Sequence, residues 1–243
     1  MAVCCICERA VDRWLPHPAM SARSEFMVLM GTVGSDLAVF SCPHCACTDR
    51  DRHLWLYMTA VGLPATLRGA DILHLAPERA LEPLFEACGP ASYLRGDLHP
   101  SQPHHQTLDA HALPFPGQAF DLIVANHLLE HVRDAAQVLA EFRRCLKPGG
   151  ILIAQTPYAP RLARTFELLA PVTTEFARLF YGQDDHVRLF GADMESYFRA
   201  AGLNGALVVH DALLAGIDGA EFGCNPLEPL FAFSRPVELA QAA

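Results

Sequence analysis

From residue 70 onward the chain alternates short apolar runs with longer stretches whose apolar residues recur at helical spacing. Asp71-Ile-Leu-His-Leu75 is the first run, and a helix over Ala80–Ala87 follows until Gly89-Pro90 stops it. Ser92-Tyr-Leu-Arg95 reads as a second strand ending at Gly96-Asp97, and Gln106-Thr-Leu108 as a short third. Ala119-Phe-Asp-Leu-Ile-Val-Ala125 is apolar except at Asp121, the pattern of a strand covered on both faces. Val138, Leu139, Phe142 and Leu146 form one stripe of a predicted helix over Asp134–Leu146. Lys147-Pro-Gly-Gly150 breaks it before the strand Ile151-Leu-Ile-Ala-Gln155. A helix over Asp193–Ala201, closed by Gly202, precedes strands near Ala206–His210 and over Leu230–Ser234. Such alternation predicts an α/β domain, a mostly parallel sheet with helices on both faces. Ligands of such sheets bind beyond the carboxyl ends of the strands.

The first 69 residues follow a different pattern. Cys4-Cys5-Ile6-Cys7 and Cys42-Pro43-His44-Cys45 each contain a C-x2-C unit, with 34 residues between the two. Two thiolates on one tight turn can face one ion, and two turns supply the tetrahedral set that zinc prefers. Cys4, Cys7, Cys42 and Cys45 are therefore the expected ligands of a structural Zn2+. Cys5, Cys47 and His44 are alternative ligands, and a set of unmetallated, redox-active thiols is the rival reading. Phe26–Met30 and Leu37–Phe40 read as short strands separated by Gly31 and Gly34, which completes a zinc-ribbon-like segment over residues 1–49. Residues 50–69 read as a linker built on a helix over Arg50–Val61, with Leu54, Tyr57, Met58 and Val61 on its apolar face. Arg50, Arg52 and His53 are expected in a solvated first turn. Cys88, Cys145 and Cys224 read as small buried hydrophobes.

Composition narrows the class. At 243 residues, 51% hydrophobic, the chain suffices for one large domain with a small appendage. Its 18 basic and 27 acidic residues give a net charge of −9, and the first 70 residues are balanced. The acidic excess thus belongs to the sheet-forming part and repels a phosphate backbone, so no nucleic-acid partner is expected. No apolar run reaches the roughly eighteen residues of a membrane span, and the start lacks a basic region ahead of an apolar core. A cytoplasmic protein without a membrane partner is the expectation.

The predicted strand ends carry polar groups: Ala76-Pro77-Glu78, Asp97, Asp109-Ala110, and Asn126-His127-Leu-Leu-Glu130-His131. A carboxylate after the second strand suits a ribose, because it can accept from both hydroxyls. The stretch from Asp109-Ala-His-Ala-Leu-Pro-Phe through Phe120-Asp121 and Leu129-Glu-His131 to Leu146-Lys-Pro-Gly-Gly150 resembles class I S-adenosylmethionine-dependent methyltransferases of the type 11 group. The likeness covers about residues 70–235. The cysteine pairs and Phe180-Tyr-Gly-Gln-Asp-Asp-His-Val-Arg-Leu-Phe-Gly191 are similar to a bacterial subgroup that joins a zinc-ribbon-like segment to this domain.

The resemblance implies a Rossmann-like, mostly parallel seven-stranded sheet over residues 70–243, with 158–190 as an insertion or lid. It also implies S-adenosyl-L-methionine as cofactor and a small-molecule methyl acceptor. Asp97 would then bind the ribose, Asp109 the adenine amine, the Ala110 backbone a ring nitrogen, and Asn126 and His127 would lie near the methionyl end. The first loop departs from the family's glycine-rich form: Ala76, Glu78 and Ala80 occupy it, with His74 where an acid is common. Glu78 would instead meet the methionyl ammonium. The missing glycines also fit a second reading, a catalytically inactive cofactor- or partner-binding module whose ribbon recruits a protein.

Methyl transfer from a sulfonium is an in-line displacement that needs alignment and, for an O or N nucleophile, a base. His127, His131 and His186 are the candidate bases, and Arg188 a candidate contact for an anionic acceptor. The alternatives are a helix-capping role for Glu130 and His131, and a buried hydrogen-bond cluster around His186 and Arg188. The amphipathic insertion, with Leu162, Phe166, Leu169, Phe176, Leu179 and Phe180, reads as helical cap material packed on the core or closing over an apolar substrate.

Overall fold

The computed structural model describes residues 2–18 and 23–237. A hairpin opens the chain, β1 (Ala2–Val3) against β2 (Ala10–Val11), followed by α1 (Glu25–Leu29), α2 (Asp49–Ala60) and α3 (Leu63–Thr66). The alternating part runs β3 (Asp71–Leu75), α4 (Glu82–Ala87), β4 (Ser92–Asp97), β5 (Gln106–Thr107), β6 (Phe120–Val124), α5 (Ala135–Cys145) and β7 (Leu146–Ile153). Then come β8 (Phe166–Glu167), α6 (Thr174–Phe180), β9 (Arg188–Leu189), α7 (Met194–Ala200), β10 (Asn204–Val208), α8 (His210–Leu213), α9 (Gly219–Phe222) and β11 (Leu230–Ser234).

Seven strands form one sheet in the order β10-β11-β7-β6-β3-β4-β5. The five from β7 to β5 are parallel, and β11 runs antiparallel to both its neighbours. Apolar residues on both faces of β3 and β6 fit this central position, since helices cover the sheet on each side. On one face Val138, Leu139 and Phe142 of α5 and Phe198 of α7 bury against the sheet, with Phe198 stacked 3.9 Å from Phe233. Leu54, Tyr57 and Met58 of α2 and Phe85 of α4 cover the other. The α5 stripe at 135, 138, 139, 142 and 145 is buried throughout, and Asp134 caps the helix by accepting from the Gln137 amide. The loop Lys147–Gly150 lies within β7 as a register shift, with Phe120 opposite Leu146 and Leu122 opposite Ile151. The single lysine, Lys147, spans the lower edges of β3 and β6, donating to Asp71 at 2.8 Å and Asp121 at 2.7 Å.

The amino-terminal segment corrects the sequence reading in two places. The strand expected over Phe26–Met30 is helix α1, capped by the Ser24 hydroxyl, and Leu37–Val39 forms turns held by Asp36, whose carboxylate accepts from the Ala38 amide. Local capping overrides β-propensity there because Met27 is covered by Ala177 and Tyr181 of the insertion, not by a sheet partner. The first turn of α2 is not solvated either: Asp49, Asp51, Arg52 and His53 are all buried. Arg52 lies 4.0 Å over the Trp14 ring and donates to the carbonyls of Cys47, Val39, Phe222 and Gly223, tying the ribbon to the carboxyl-terminal turn. Segment 158–190 contains one short helix, α6. Phe166, Phe176, Phe180 and Tyr181 pack with Phe26 into a satellite core against α1. Among the described residues no helix is long and apolar enough to cross a membrane.

Candidate functional site

A cavity of about 620 Å³ opens at the carboxyl ends of β3, β4, β5 and β6. Ala76, Asp97, Asp109, Ala110, His127 and His131 all line it. Asp97 ends β4, and its Oδ1 accepts from the His99 amide at 2.8 Å, which orients the carboxylate toward the cavity rim. Gly96 before it has no room for a side chain, since a Cβ would lie 2.2 Å from Leu108 Cδ1. The Asp109 Oδ1 accepts from the amide and the ring Nδ1 of His111, at 2.9 and 2.7 Å. The Asp134 amide donates to the other nitrogen of that ring, so Nδ1 carries the proton. The His111 bonds hold the Asp109 carboxyl below its ordinary range. Leu98, Leu128 and Val132 supply apolar wall and His99, His111, Arg133 and Asp185 further polar groups, of which the sequence had singled out only Asp185, in the polar patch beside His186. Several adjoin an anticipated residue, and the position after each strand-end acid was the available signal.

The first loop is built differently from the expectation. Ala76 holds φ at +48°, the left-handed conformation that a glycine adopts at no steric cost. His74, Glu78 and Asn126 are not among the residues that line the cavity; they form a hydrogen-bonded chain behind it, with His74 and Asn126 buried and Glu78 partly exposed. His74 pairs with the Tyr93 hydroxyl at 2.8 Å and with Glu78 Oε2 at 2.6 Å. Asn126 donates to Glu78 Oε1 at 3.0 Å and accepts from the Gln155 amide at 3.0 Å. Burial alone would raise the Glu78 carboxyl, but the His74 and Asn126 bonds outweigh it and leave it below the ordinary value. The chain fixes the β3 and β6 loops relative to each other, in the role that a glycine-rich turn would leave to backbone geometry.

After β6 the polar residues divide into those that reach the cavity and those that do not. His127, at φ +49°, lines it and pairs through Nδ1 with Glu130 Oε1 at 3.2 Å. Glu130 Oε2 accepts from the Thr156 hydroxyl at 2.9 Å. Burial works to raise the Glu130 carboxyl, but the His127 bond and neighbouring histidines carry it down to about 2. His131 also lines the cavity, with Asp185 Oδ2 at 3.3 Å. His186 lies behind it, and its Nδ1 donates to the Tyr181 carbonyl at 2.9 Å while burial lowers its pKa. Arg188 is buried as well, and each of its N–H groups is committed. It forks onto Glu167 at 3.0 and 2.8 Å and donates to the carbonyls of Leu129, Val132 and Arg133 at 2.6, 2.5 and 3.0 Å. No donor remains for an acceptor, so the expected substrate contact gives way to an internal brace of the 129–133 loop.

The two cysteine turns are geometric copies. In each, the amide of the first cysteine bonds the carbonyl five residues on, and the residue after the second cysteine donates back to the first. That residue is Glu8 in one turn and Ala46 in the other, at φ +58° and +60°. The turns bring Cys4 Sγ to 3.9 Å from Cys45 and Cys7 Sγ to 3.9 Å from Cys42, and all four sulfurs lie within 4.8 Å of one another. A tetrahedron with Zn–S near 2.3 Å has edges of about 3.8 Å, so the spacing fits zinc. Of the alternatives, Cys5 points at the Arg52 carbonyl and His44 at the Ala10 carbonyl, while Cys47 sits 3.5 Å behind Cys4 and within 3.6 Å of Arg52 Nη1.

A mostly parallel sheet with acids beyond adjacent strands, facing an apolar-walled cavity, is the arrangement in which α/β sheets bind their ligands. The family described as "Methyltransferase domain" matches residues 46–208, more than half of the chain, and the protein belongs to this family of S-adenosylmethionine-dependent methyltransferases. The match takes in α2 as well as the alternating part. The ubiquinone/menaquinone biosynthesis C-methyltransferase UbiE of Desulfotalea psychrophila is 41% identical over 63 residues, 25% of this chain and 26% of the relative. A ubiquinone biosynthesis O-methyltransferase of Thiobacillus denitrificans is 30% identical over 145 residues, 58% of this chain and 56% of the relative. The chain thus spans about a quarter of the first relative's length and just over half of the second's. A solved S-adenosylmethionine-dependent methyltransferase from Mesorhizobium loti shares the fold, with TM-score 0.52 at 18% identity, covering 77% of this chain and all of that one.

Proposed function

We propose that the protein transfers a methyl group from S-adenosylmethionine to a small-molecule acceptor, and that its amino-terminal ribbon carries one structural zinc. The cavity itself carries the reading: Asp97 and Asp109 stand at adjacent strand ends on its wall, which supports assigning them to a ribose diol and an adenine amine. The Ala110 backbone lies beside Asp109, and Leu98, Leu128 and Val132 supply the apolar contact that an adenosine requires. The Ala76 turn shapes the wall for the methionyl end, and the Glu78 chain holds that turn from behind. When bound, the cofactor supplies the electrophilic methyl carbon. The protein's work is then to align the acceptor, exclude water and take up a proton.

His127 is the ring we assign to take up the proton. It lines the cavity, the Glu130 carboxylate at its Nδ1 orients the ring, and its Nε2 lies 3.9 Å from Glu228 Oε1. Relatives named for ubiquinone and menaquinone biosynthesis support a small-molecule acceptor. Calorimetry with S-adenosylmethionine tests the reading. One equivalent should bind, and Asp97→Ala should weaken binding by about 1–3 kcal/mol, the cost of losing charge-assisted bonds to the ribose. Absence of binding at millimolar cofactor would favour the inactive module.

A further inference from the structure

We propose that Glu130, His131 and His186 form a second metal site, for a divalent first-row transition ion, at the edge of the cavity. One ligand atom from each residue lies within 4.8 Å of the others. Two imidazoles and one carboxylate make the facial set that leaves coordination positions open, unlike the closed thiolate set of the ribbon.

The surroundings of each group match those of a ligand. The Nδ1–H of His186 donates to the Tyr181 carbonyl, which fixes the tautomer and leaves Nε2 with a free lone pair. That Nε2 is buried and has no hydrogen-bond partner, a state that costs free energy unless something fills it. The ring of His131 meets that of His186 edge to face at 4.7 Å, and its own Nδ1 faces Asp185 Oδ2 at 3.3 Å. Both histidines therefore show the outer partner, a carbonyl or a carboxylate, that orients a metal-binding imidazole. Glu130 is held in the same way by the Thr156 hydroxyl and His127. It is buried, its ion-pair partner is an imidazole and not a Lys or Arg, and a carboxylate has lone pairs to spare beyond those two bonds. The other carboxylate–histidine group, Glu82 with His104 and His105, lacks this character because Arg95 already neutralises Glu82 at 3.3 Å.

The site opens to the cavity through His131 and Asp185. On the reading given under Proposed function, its open positions face the acceptor, so an acceptor with an oxygen donor beside the reacting atom is the class it would ligate. The ion would then lower the acceptor's pKa directly, with His127 left to receive the proton.

Cobalt(II) titration of the full chain, with the ribbon metal counted by elemental analysis, tests the site without turnover. Wild type should bind one Co2+ per chain beyond the ribbon ion, with visible bands of nitrogen and oxygen ligation and no added thiolate charge-transfer band. His131→Ala should weaken this binding about 100-fold or more, and Asp185→Asn, at an exposed outer partner, by about 10–100-fold. His186→Ala should abolish it. His131 and Asp185 reach solvent, so those two variants keep the test open if His186→Ala fails to fold. Absence of a second equivalent at millimolar Co2+, or its retention at full affinity in both His131→Ala and Asp185→Asn, would overturn the proposal. Calorimetry with S-adenosylmethionine in the metal-free cavity separates that failure from failure of the methyltransferase reading.

Discussion

Arg188→Lys distinguishes an internal brace from an acceptor contact. The guanidinium serves five acceptors: two Glu167 oxygens and the carbonyls of Leu129, Val132 and Arg133. An ammonium offers three N–H groups from one nitrogen and cannot reach both the fork and the spread of carbonyls. At least two acceptors lose their partner. Glu167 is partly exposed and can turn to water, so the loss falls on carbonyls, each costing about 1–3 kcal/mol when left buried. A total near 3 kcal/mol follows, and at about 2–4 °C per kcal/mol for a chain of this size the midpoint should fall by roughly 6–12 °C. Thermal unfolding followed by circular dichroism measures the shift. Cofactor affinity of the folded variant, by calorimetry, should stay within about twofold of wild type, because Arg188 does not line the cavity. A midpoint within about 2 °C of wild type, with a raised acceptor KM, would refute the brace and restore the acceptor contact.

Three further outcomes are expected. Cys42→Ser should remove the ribbon metal, about one equivalent by elemental analysis, and zinc retained in full would reject the four-thiolate assignment. Asp49 is an acid whose burial, reinforced by Glu228, pushes its pKa up to about 7, so the folded state binds its proton more tightly than the unfolded chain. The contribution of this group therefore falls as pH rises from about 4 to 7, the reverse of a paired carboxylate. Asp49→Asn should raise the unfolding midpoint at pH 8 by more than at pH 5, and an equal shift at both pH values would contradict the buried-acid account. Asp97→Ala should weaken cofactor binding while leaving the unfolding midpoint of the free protein near wild type, since the His99 amide is the protein partner it releases.

How much was legible in the sequence depended on how local each signal was. All seven sheet strands were anticipated, β11 to the residue, because alternation of apolar runs with helical stripes is written within a dozen neighbouring positions. The C-x2-C turns were readable for the same reason: their hydrogen bonds close within five residues. What failed was the fate of charged side chains. Arg52 looked solvated because nothing adjacent could bury it, yet its carbonyl partners Phe222 and Gly223 lie 170 and 171 residues away. His74, Glu78 and Asn126, expected near the ligand, are tied to one another and to Tyr93 on β4 and Gln155 just past β7, contacts that no local pattern announces.

His186 and Arg188 were singled out correctly as polar residues in an apolar run, but only the fold turned one toward Glu130 and locked the other onto the 129–133 loop. The pattern of hydrophobic positions thus determined the sheet and the helices that cover it, and the cysteine spacing the turns that gather the thiols. The tertiary structure decided which ionisable groups face the cavity and which sit behind it. Burying a charge is tolerable only where distant backbone and side chains supply its hydrogen bonds, and the chain brings those together only when it folds.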